Sequence, residues 1–265
     1  MGFFRRNFDK PGPGVRKDEP RKKGAARFFE LLFRDFGDLV KLNLLFFLTV
    51  LPSALVFVIG IFWLHIGVAL LLSLVLAFPV GGAVVAYVYY ITKMMRDEPS
   101  YVWYEFKRKF KENFRQAAPI GMLCTAFIYA QILIWSTFFS ALTAGEPVGD
   151  FIWYFLTILA IVVFLMIAPY IFLHFAYIDL KTSQVIKNSV LMAFGFILRS
   201  FMCALVGGVI WMVFALFWPV LFPVIILFGM SLSMLLGLMW VWPPFNKHFK
   251  VEETLIKKLD EADES

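Results

Sequence analysis

Residues 42–92 read LNLLFFLTVLPSALVFVIGIFWLHIGVALLLSLVLAFPVGGAVVAYVYYIT and contain no Asp, Glu, Lys or Arg. An α-helix rises about 1.5 Å per residue, whereas the hydrocarbon core of a bilayer is only about 30 Å thick. This uncharged run is too long for one crossing and predicts two, at 43–63 and 68–91, with a reversal near Trp63 to Gly67. Trp is typical of the membrane interface, where such a turn lies.

Three further uncharged runs continue this pattern, at 116–145, 151–178 and 200–246. They predict four more crossings, at 118–140, 151–177, 200–217 and 220–242. Lipid cannot satisfy the edge groups of an open sheet, and the runs lack the alternation of a membrane barrel. The predicted fold class is therefore an all-α integral membrane protein with about six transmembrane helices.

All 25 Lys and Arg residues lie in segments that six crossings place on one side of the membrane. These segments are 1–41, 93–115, 181–199 and 247–258. Connections rich in Lys and Arg stay in the cytoplasm, so both termini are expected there. The opposite side carries Glu146, Asp150 and His65 in short loops, which argues against a receptor with an external domain.

A segment with one apolar and one polar helical face precedes each pair of predicted crossings. These segments predict interfacial helices at 27–41, 101–116 and 183–198 on the cytoplasmic side. With the crossings they form a predicted membrane bundle over 27–247, between a basic Pro- and Gly-rich cytoplasmic tail at 1–26 and a charged cytoplasmic tail at 248–265. The three units resemble one another weakly, which leaves open whether they are true repeats.

The second interfacial segment, WYEFKRKFKENFRQ at 103–116, is the most basic of the three. Its aromatic residues share one stripe of the predicted helix: Trp103, Phe106, Phe110 and Phe114. Its basic residues occupy the remaining surface: Lys107, Arg108, Lys109, Lys111 and Arg115. Such a helix binds the interface of an anionic leaflet, where each basic residue contributes about 1 kcal/mol. Single-stranded nucleic acid is bound by the same residue types, but membrane anchoring accounts for them, so the expected partners are the lipid bilayer and its anionic headgroups.

Few polar residues lie inside the uncharged runs, and Asn43, Gln131 and His174 are the candidates for a polar cavity. A structural, hydrogen-bonded role is the competing interpretation of His174. The three histidines are scattered, without metal-ligand spacing, and no Gly-rich phosphate loop is present. We therefore predict no catalytic residue, no metal ligand and no cofactor, and we do not expect an enzyme.

Four segments resemble the YesL-like family of bacterial integral membrane proteins, a family of unknown function, and the resemblance is best for its clostridial and related Firmicutes members. The segments are DKPGPGVRKDEPRKKG, FFELLFRDFGDLVKLNLLFFLTVLP, YVWYEFKRKFKENFRQA and FAYIDLKTSQVIKNSVLMAFGFILRSF. They cover most of residues 8–201. The chain departs from the family after Leu51 and Pro52, where its first hairpin is longer, so extra membrane-embedded helix is expected within 53–76.

The resemblance implies a location in the bacterial cytoplasmic membrane and an accessory or regulatory role in a membrane transport complex. The genes for such proteins lie beside carbohydrate-uptake genes. The resemblance therefore implies that the partners are subunits of an ABC-type sugar importer. The Glu-Ala-Ala loop of importer permeases is absent from this sequence, which favours an accessory protein over the permease itself. A small-solute carrier is the alternative, and a membrane enzyme is a third and less favoured class.

Reporter fusions test the predicted topology. A fusion after Gly145 should give an external signal, because six crossings place that loop opposite the basic segments. A fusion after Ser265 should give a cytoplasmic signal. A cytoplasmic signal at the first site, or an external signal at the second, would show that the predicted topology is wrong.

Overall fold

The structure, a computed structural model, describes residues 22–98, 100–218 and 220–263. These residues form helices and contain no strand, and the predicted all-α membrane class is confirmed. In chain order the helices are α1 (Gly24–Arg34), α2 (Phe36–Trp63), α3 (Ile66–Leu76), α4 (Val80–Met95), α5 (Val102–Ala144), α6 (Phe151–Tyr177), α7 (Thr182–Gly195), α8 (Ile197–Leu216), α9 (Phe222–Val224), a π-helix (Ile225–Gly229), α10 (Met230–Phe249) and α11 (Val251–Asp263). Most of the predicted basic tail, residues 1–21, lies outside the described residues.

Five helical segments of the described chain are long and apolar enough to cross a membrane. They are α2, α5, α6, α8 and the continuous helical stretch Phe222–Phe249. A sixth span is obtained if α3 and α4 are taken together, since they are bent by 48° at a short break. The predicted crossing at 68–91 is therefore two helices, and Pro79 at their junction accounts for the break because proline lacks a backbone donor.

The connections that carry charge meet at one end of the bundle, which we call the charged end. Arg27 of α1 contacts Asp97, just after α4. Gln116 near the start of α5 donates to the Leu180 carbonyl, just after α6. At the opposite end, Trp63, Trp153 and Trp218 are exposed near the turns, as expected of an interfacial aromatic belt.

Helix α4 lies at the centre of the bundle. All but two of its sixteen residues are buried, the exceptions being Lys93 and Met95 at the charged end. It contacts α2, α5, α6 and α10. Its sequence, VGGAVVAYVYYITKMM, begins with small residues and continues with Tyr and β-branched residues. The first half therefore allows close approach of a neighbouring backbone. The larger side chains of the second half pack against the neighbouring helices.

Helices α4 and α5 approach each other closely at Gly81 and Gly121. A Cβ atom built on Gly81 would lie 2.0 Å from the Ala117 carbonyl oxygen, and one built on Gly121 would lie 2.2 Å from the Gly81 nitrogen. Neither distance is compatible with a side chain. In lipid, where helices gain little from hydrophobic association, such contact supplies the packing energy that holds spans together.

Helix α5 differs from the sequence prediction, which separated an interfacial helix at 101–116 from a crossing at 118–140. The structure has one helix of 43 residues from Val102 to Ala144, with Pro119 inside it. At about 1.5 Å per residue it is roughly 65 Å long, well over the thickness of the hydrocarbon core. The basic residues at 107–115 thus lie on the same continuous helix as the span that follows them, without a turn between the two parts.

The C-terminal part also differs in form from the predicted crossing at 220–242 and tail at 248–265. Helix α10 continues to Phe249, and the residue that follows, Lys250, has a left-handed backbone with φ +50°. Helix α11 begins directly after it. The charged tail is therefore helical over 251–263, because its apolar residues recur at helical spacing beside charged ones.

Substitution of Gly121 by Ala tests the α4–α5 contact. We expect Gly121→Ala to lower the free energy of unfolding by about 3 kcal/mol, because the two backbones must separate to admit the methyl group. Thermal unfolding of the purified protein in detergent measures the loss. Gly208→Ala in α8 is the matched control, since no atom lies within 4 Å of its Cβ position. Equal stability of the two variants would contradict the proposed contact.

Candidate functional site

Asp97 links α1 to the end of α4. Its carboxylate accepts hydrogen bonds from Arg27, at 2.6 Å, and from Arg34. The same two guanidinium groups donate to the carbonyls of Met95 and Met94. Asp97 has a left-handed backbone with φ +61°, a conformation that Asp adopts more readily than most residues. The short connection after α4 therefore fixes the position of α1.

Ionisation of Asp97 is favoured by this arrangement. Partial burial alone would raise the pKa of the carboxyl group, but hydrogen bonds and charges from Arg27 and Arg34 outweigh burial and lower the pKa. A carboxyl group with a lowered pKa stabilises the fold above its ordinary pKa, and the contribution is lost as the pH falls through the folded-state value. The attachment of α1 is thus complete at neutral pH.

Arg96 forms a second link, between α4, α6 and α10. It is 5% exposed, and it donates to Glu98 at 2.6 Å and to the Tyr177 hydroxyl at 2.7 Å. Its guanidinium carbon lies 5.4 Å from the centre of the Tyr177 ring and 5.3 Å from that of Trp242. The cation–π contacts and the hydrogen bonds together offset the desolvation cost of burying the Arg96 charge.

Glu105 forms a third link, between α4 and α5. It is buried, and it lies 2.6 Å from Lys93 of α4 and 2.6 Å from Arg108 of its own helix. Arg108 also donates to the Tyr89 hydroxyl at 3.0 Å, and the Lys109 ammonium lies 4.7 Å from the centre of the Tyr89 ring. Arg108 and Lys109, two of the five predicted basic residues, therefore pack against α4.

The other three basic residues of α5 form an exposed face. Lys107, Lys111 and Arg115 are exposed, and none of them forms an ion pair with any residue that the structure describes. Trp103, which is 64% exposed, precedes Lys107 by four residues. Residues four apart lie on one side of a helix. We call Trp103, Lys107, Lys111 and Arg115 the cationic stripe.

The predicted aromatic stripe of α5 is divided by the structure. Phe106 is 6% exposed, and Phe110 and Phe114 are half-buried. The Phe114 ring packs edge-on against Phe78, with the ring centres 4.9 Å apart. Trp103 alone of the four faces outward. The three phenylalanines therefore contact protein, and the outward surface of this part of α5 is mainly cationic.

Asn43 has a structural environment. Its Oδ1 accepts from the backbone nitrogens of Met230 and Ser231 at 3.0 Å, and its Nδ2 donates to the carbonyls of Ile225 and Ile226. A side chain that enters the backbone hydrogen-bond ladder of another helix accounts for a π-helical turn. Both ends of the Asn43 amide are occupied by this turn.

His174 lies near the charged end, in an aromatic environment. Its Nδ1 is 2.7 Å from the Tyr170 carbonyl oxygen and 3.0 Å from Ser189 Oγ. A carbonyl only accepts, so Nδ1 carries hydrogen. The ring packs edge-on against Phe245 and Phe249, and Nε2 is buried with no hydrogen-bond partner among the residues that the structure describes. His174 therefore joins α6, α7 and α10.

The structure does not bring the three predicted polar residues into one cavity. Gln131 lies in α5 beyond the middle of the helix, and its buried Oε1 has no hydrogen-bond partner in the described part of the chain. It is hydrogen-bonded to neither Asn43 nor His174. A cavity of about 220 Å³ does exist between α4, α5, α6, α8 and α10, but none of the three lines it. Its lining is almost wholly apolar.

The two hydroxyl groups on the wall of this cavity are hydrogen-bonded within their own helical segments. Thr125 donates to the Gly121 carbonyl at 2.8 Å, and Ser233 donates to the carbonyls of Gly229 and Met230 at 3.1 Å. No group of three or more His, Cys, Asp or Glu side chains that could hold a metal ion occurs in the described part of the chain.

One comparison with known proteins gives a match. Residues 39–135 match the family model described as "Protein of unknown function, DUF624". The matched part is less than half of the chain, and it extends from α2 into α5. It includes the Gly81–Gly121 contact, Asp97 and the cationic stripe. No curated protein and no solved structure matches the chain.

Asp97→Asn tests the attachment of α1. We expect a loss of about 1 kcal/mol at neutral pH, because Asp97 is partly exposed and two charge-assisted hydrogen bonds weaken. The wild-type protein should lose the same increment as the pH falls below about 4, whereas the variant should not. Thermal unfolding as a function of pH measures both effects.

Glu112→Gln is the control for this experiment, because its ion pair with Lys109 lies within one helix and links no other element. The Asp97 interpretation is wrong if both variants have the same stability and the same pH dependence.

Proposed function

We propose that this protein is an accessory or regulatory subunit of a membrane transport complex, and that it docks through the cationic stripe to an acidic surface of its partner. The observation that carries the proposal is the separation of charges on α5. Arg108 and Lys109 have partners within the protein, whereas Lys107, Lys111 and Arg115 project outward without an ion pair to any described residue.

Like charges four residues apart on a helix repel one another, so the stripe lowers the stability of the isolated protein slightly. A partner with carboxylates at matching spacing removes this cost and gains charge-assisted hydrogen bonds. The stripe begins at Trp103, and Trp and Arg are the residue types most enriched where binding energy concentrates in protein interfaces. These features together favour a protein partner.

The chemistry of the interior argues against transport of a polar solute by this protein alone. The cavity between the spans is apolar, and the Thr125 and Ser233 hydroxyl groups on its wall are already hydrogen-bonded. A sugar presents many hydroxyl groups, each of which needs a partner when it leaves water. A carrier of polar solutes would require polar side chains that this cavity does not offer.

The finer features of the proposal rest on sequence. The excess of Lys and Arg favours a cytoplasmic position for the charged end and both termini. The resemblance to the YesL-like bacterial proteins supports the bacterial cytoplasmic membrane as the location and carbohydrate uptake as the process. An ABC-type sugar importer is accordingly the partner that we propose. No nucleic acid, cofactor or catalytic activity forms part of the proposal.

Removal of the stripe charges tests the docking surface. The triple variant Lys107→Gln, Lys111→Gln and Arg115→Gln should retain about tenfold less of the importer after purification from the native host in mild detergent, because three interfacial ion pairs are lost. The recovered subunits are quantified by mass spectrometry relative to the bait.

The matched control neutralises three exposed lysines elsewhere at the charged end, Lys187, Lys247 and Lys257, to Gln. It removes the same total charge, and reporter fusions after Gly145 and Ser265 verify that both variants keep the wild-type orientation. Equal recovery with both variants would refute docking through the stripe. Loss of binding to anionic liposomes, with importer recovery unchanged, would assign the stripe to lipid headgroups instead.

A further inference from the structure

The cavity between the spans opens sideways to the surroundings of the bundle. Half of its lining residues are buried, including Thr125 and Cys203, which are 6% and 5% exposed. Two lining residues face outward: Ile128 of α5 is 47% exposed and Trp211 of α8 is 42% exposed. Because both helices are membrane spans, the opening between these residues faces lipid.

The depth of the cavity decides what can enter it. Gly207 lies on its wall, nine residues before the end of α8 at Leu216. At about 1.5 Å per residue, Gly207 is roughly 14 Å from that end of the span, close to the middle of a 30 Å hydrocarbon core. Lipid headgroups and water do not reach this depth, so the surrounding medium supplies hydrocarbon chains.

The size and chemistry of the cavity fit such a chain. Its volume is about 220 Å³. An apolar cavity of about 150 Å³ in a protein interior stays free of water and accepts a ring as large as benzene. The Thr125 and Ser233 hydroxyl groups donate to backbone carbonyls of their own helical segments, so neither hydroxyl requires a polar ligand. We infer that this cavity is a binding site for the hydrocarbon chain of a membrane lipid.

Glycine at position 207 keeps the site open. A Cβ atom built there would meet no atom within 4 Å, and the residue is nevertheless buried on the cavity wall. A Cβ atom at this position therefore has room, and a larger side chain extends from the cavity wall. Gly208 also has free space at its Cβ position, but it does not line the cavity. The two adjacent glycines therefore provide a test variant and a matched control.

The experiment uses the full chain reconstituted in liposomes of phosphatidylcholine that carries a photoreactive diazirine in one acyl chain. After illumination, peptide mapping by mass spectrometry should find adducts on Thr125 and Cys203, which lipid outside the bundle cannot contact. Adducts on Leu71 and Val75, which are 68% and 65% exposed on α3, report ordinary contact with surrounding lipid.

In Gly207→Leu, adducts on Thr125 and Cys203 should fall about tenfold relative to those on Leu71 and Val75, because the added side chain occupies the site. In Gly208→Leu they should stay at the wild-type ratio. Adducts confined to outward-facing residues in the wild-type protein would overturn the inference, whether or not Gly207→Leu folds. The inference would also be overturned if folded Gly207→Leu had the same ratio of Thr125 and Cys203 adducts to Leu71 and Val75 adducts as the wild-type protein. Both results are independent of importer recovery, so this inference and the docking proposal stand or fall separately.

Discussion

The contact between the backbones of Gly81 and Gly121 is the constraint on which the rest of the bundle depends. It brings α4 and α5 closer than any side chain would permit and allows α4 to be enclosed by four other helices. Lipid offers no hydrophobic driving force for helix association, so close packing must hold the spans together. Once α4 is fixed, its end positions Arg96 and Asp97, and these two residues gather α1, α6 and α10 at the charged end.

The charged end therefore contains two kinds of cation. Arg27, Arg96 and Arg108 are paired within the protein and hold helices together. Lys107, Lys111 and Arg115 face outward and form no ion pair with any residue that the structure describes. Internal ion pairs contribute through geometry and neighbouring hydrogen bonds, whereas outward charges affect encounter and orientation with other molecules. One helix, α5, carries both kinds on different faces.

The fold class was readable from sequence because lipid imposes a simple rule: outside closed barrels, a segment that spans the membrane must be a helix of about 20 mainly apolar residues. The links at the charged end were not readable in the same way. Asp97 is 70 residues from Arg27 and 63 from Arg34, and no sequence period connects them. Periodicity likewise showed that α5 has distinct faces, but not that Phe106 would meet protein while Trp103 faced outward. Pairs within one helix at a spacing of three residues, such as Arg27–Glu30 and Glu105–Arg108, do carry a local signal.

The amide of Asn43 also constrains the order in which the protein is made. Its acceptor and donor atoms are satisfied by the turn that precedes Ser231, which is 188 residues further along the chain. A ribosome adds about 5–20 residues per second, so the first span waits roughly 10–40 s in the bilayer before its polar group finds that turn. During this interval the Tyr87 hydroxyl, 3.3 Å from Oδ1, is available to the Asn43 amide, whereas the Nδ2 donor lacks both of its carbonyl partners. Completion of the last hairpin is thus the step that supplies the remaining hydrogen bonds of Asn43.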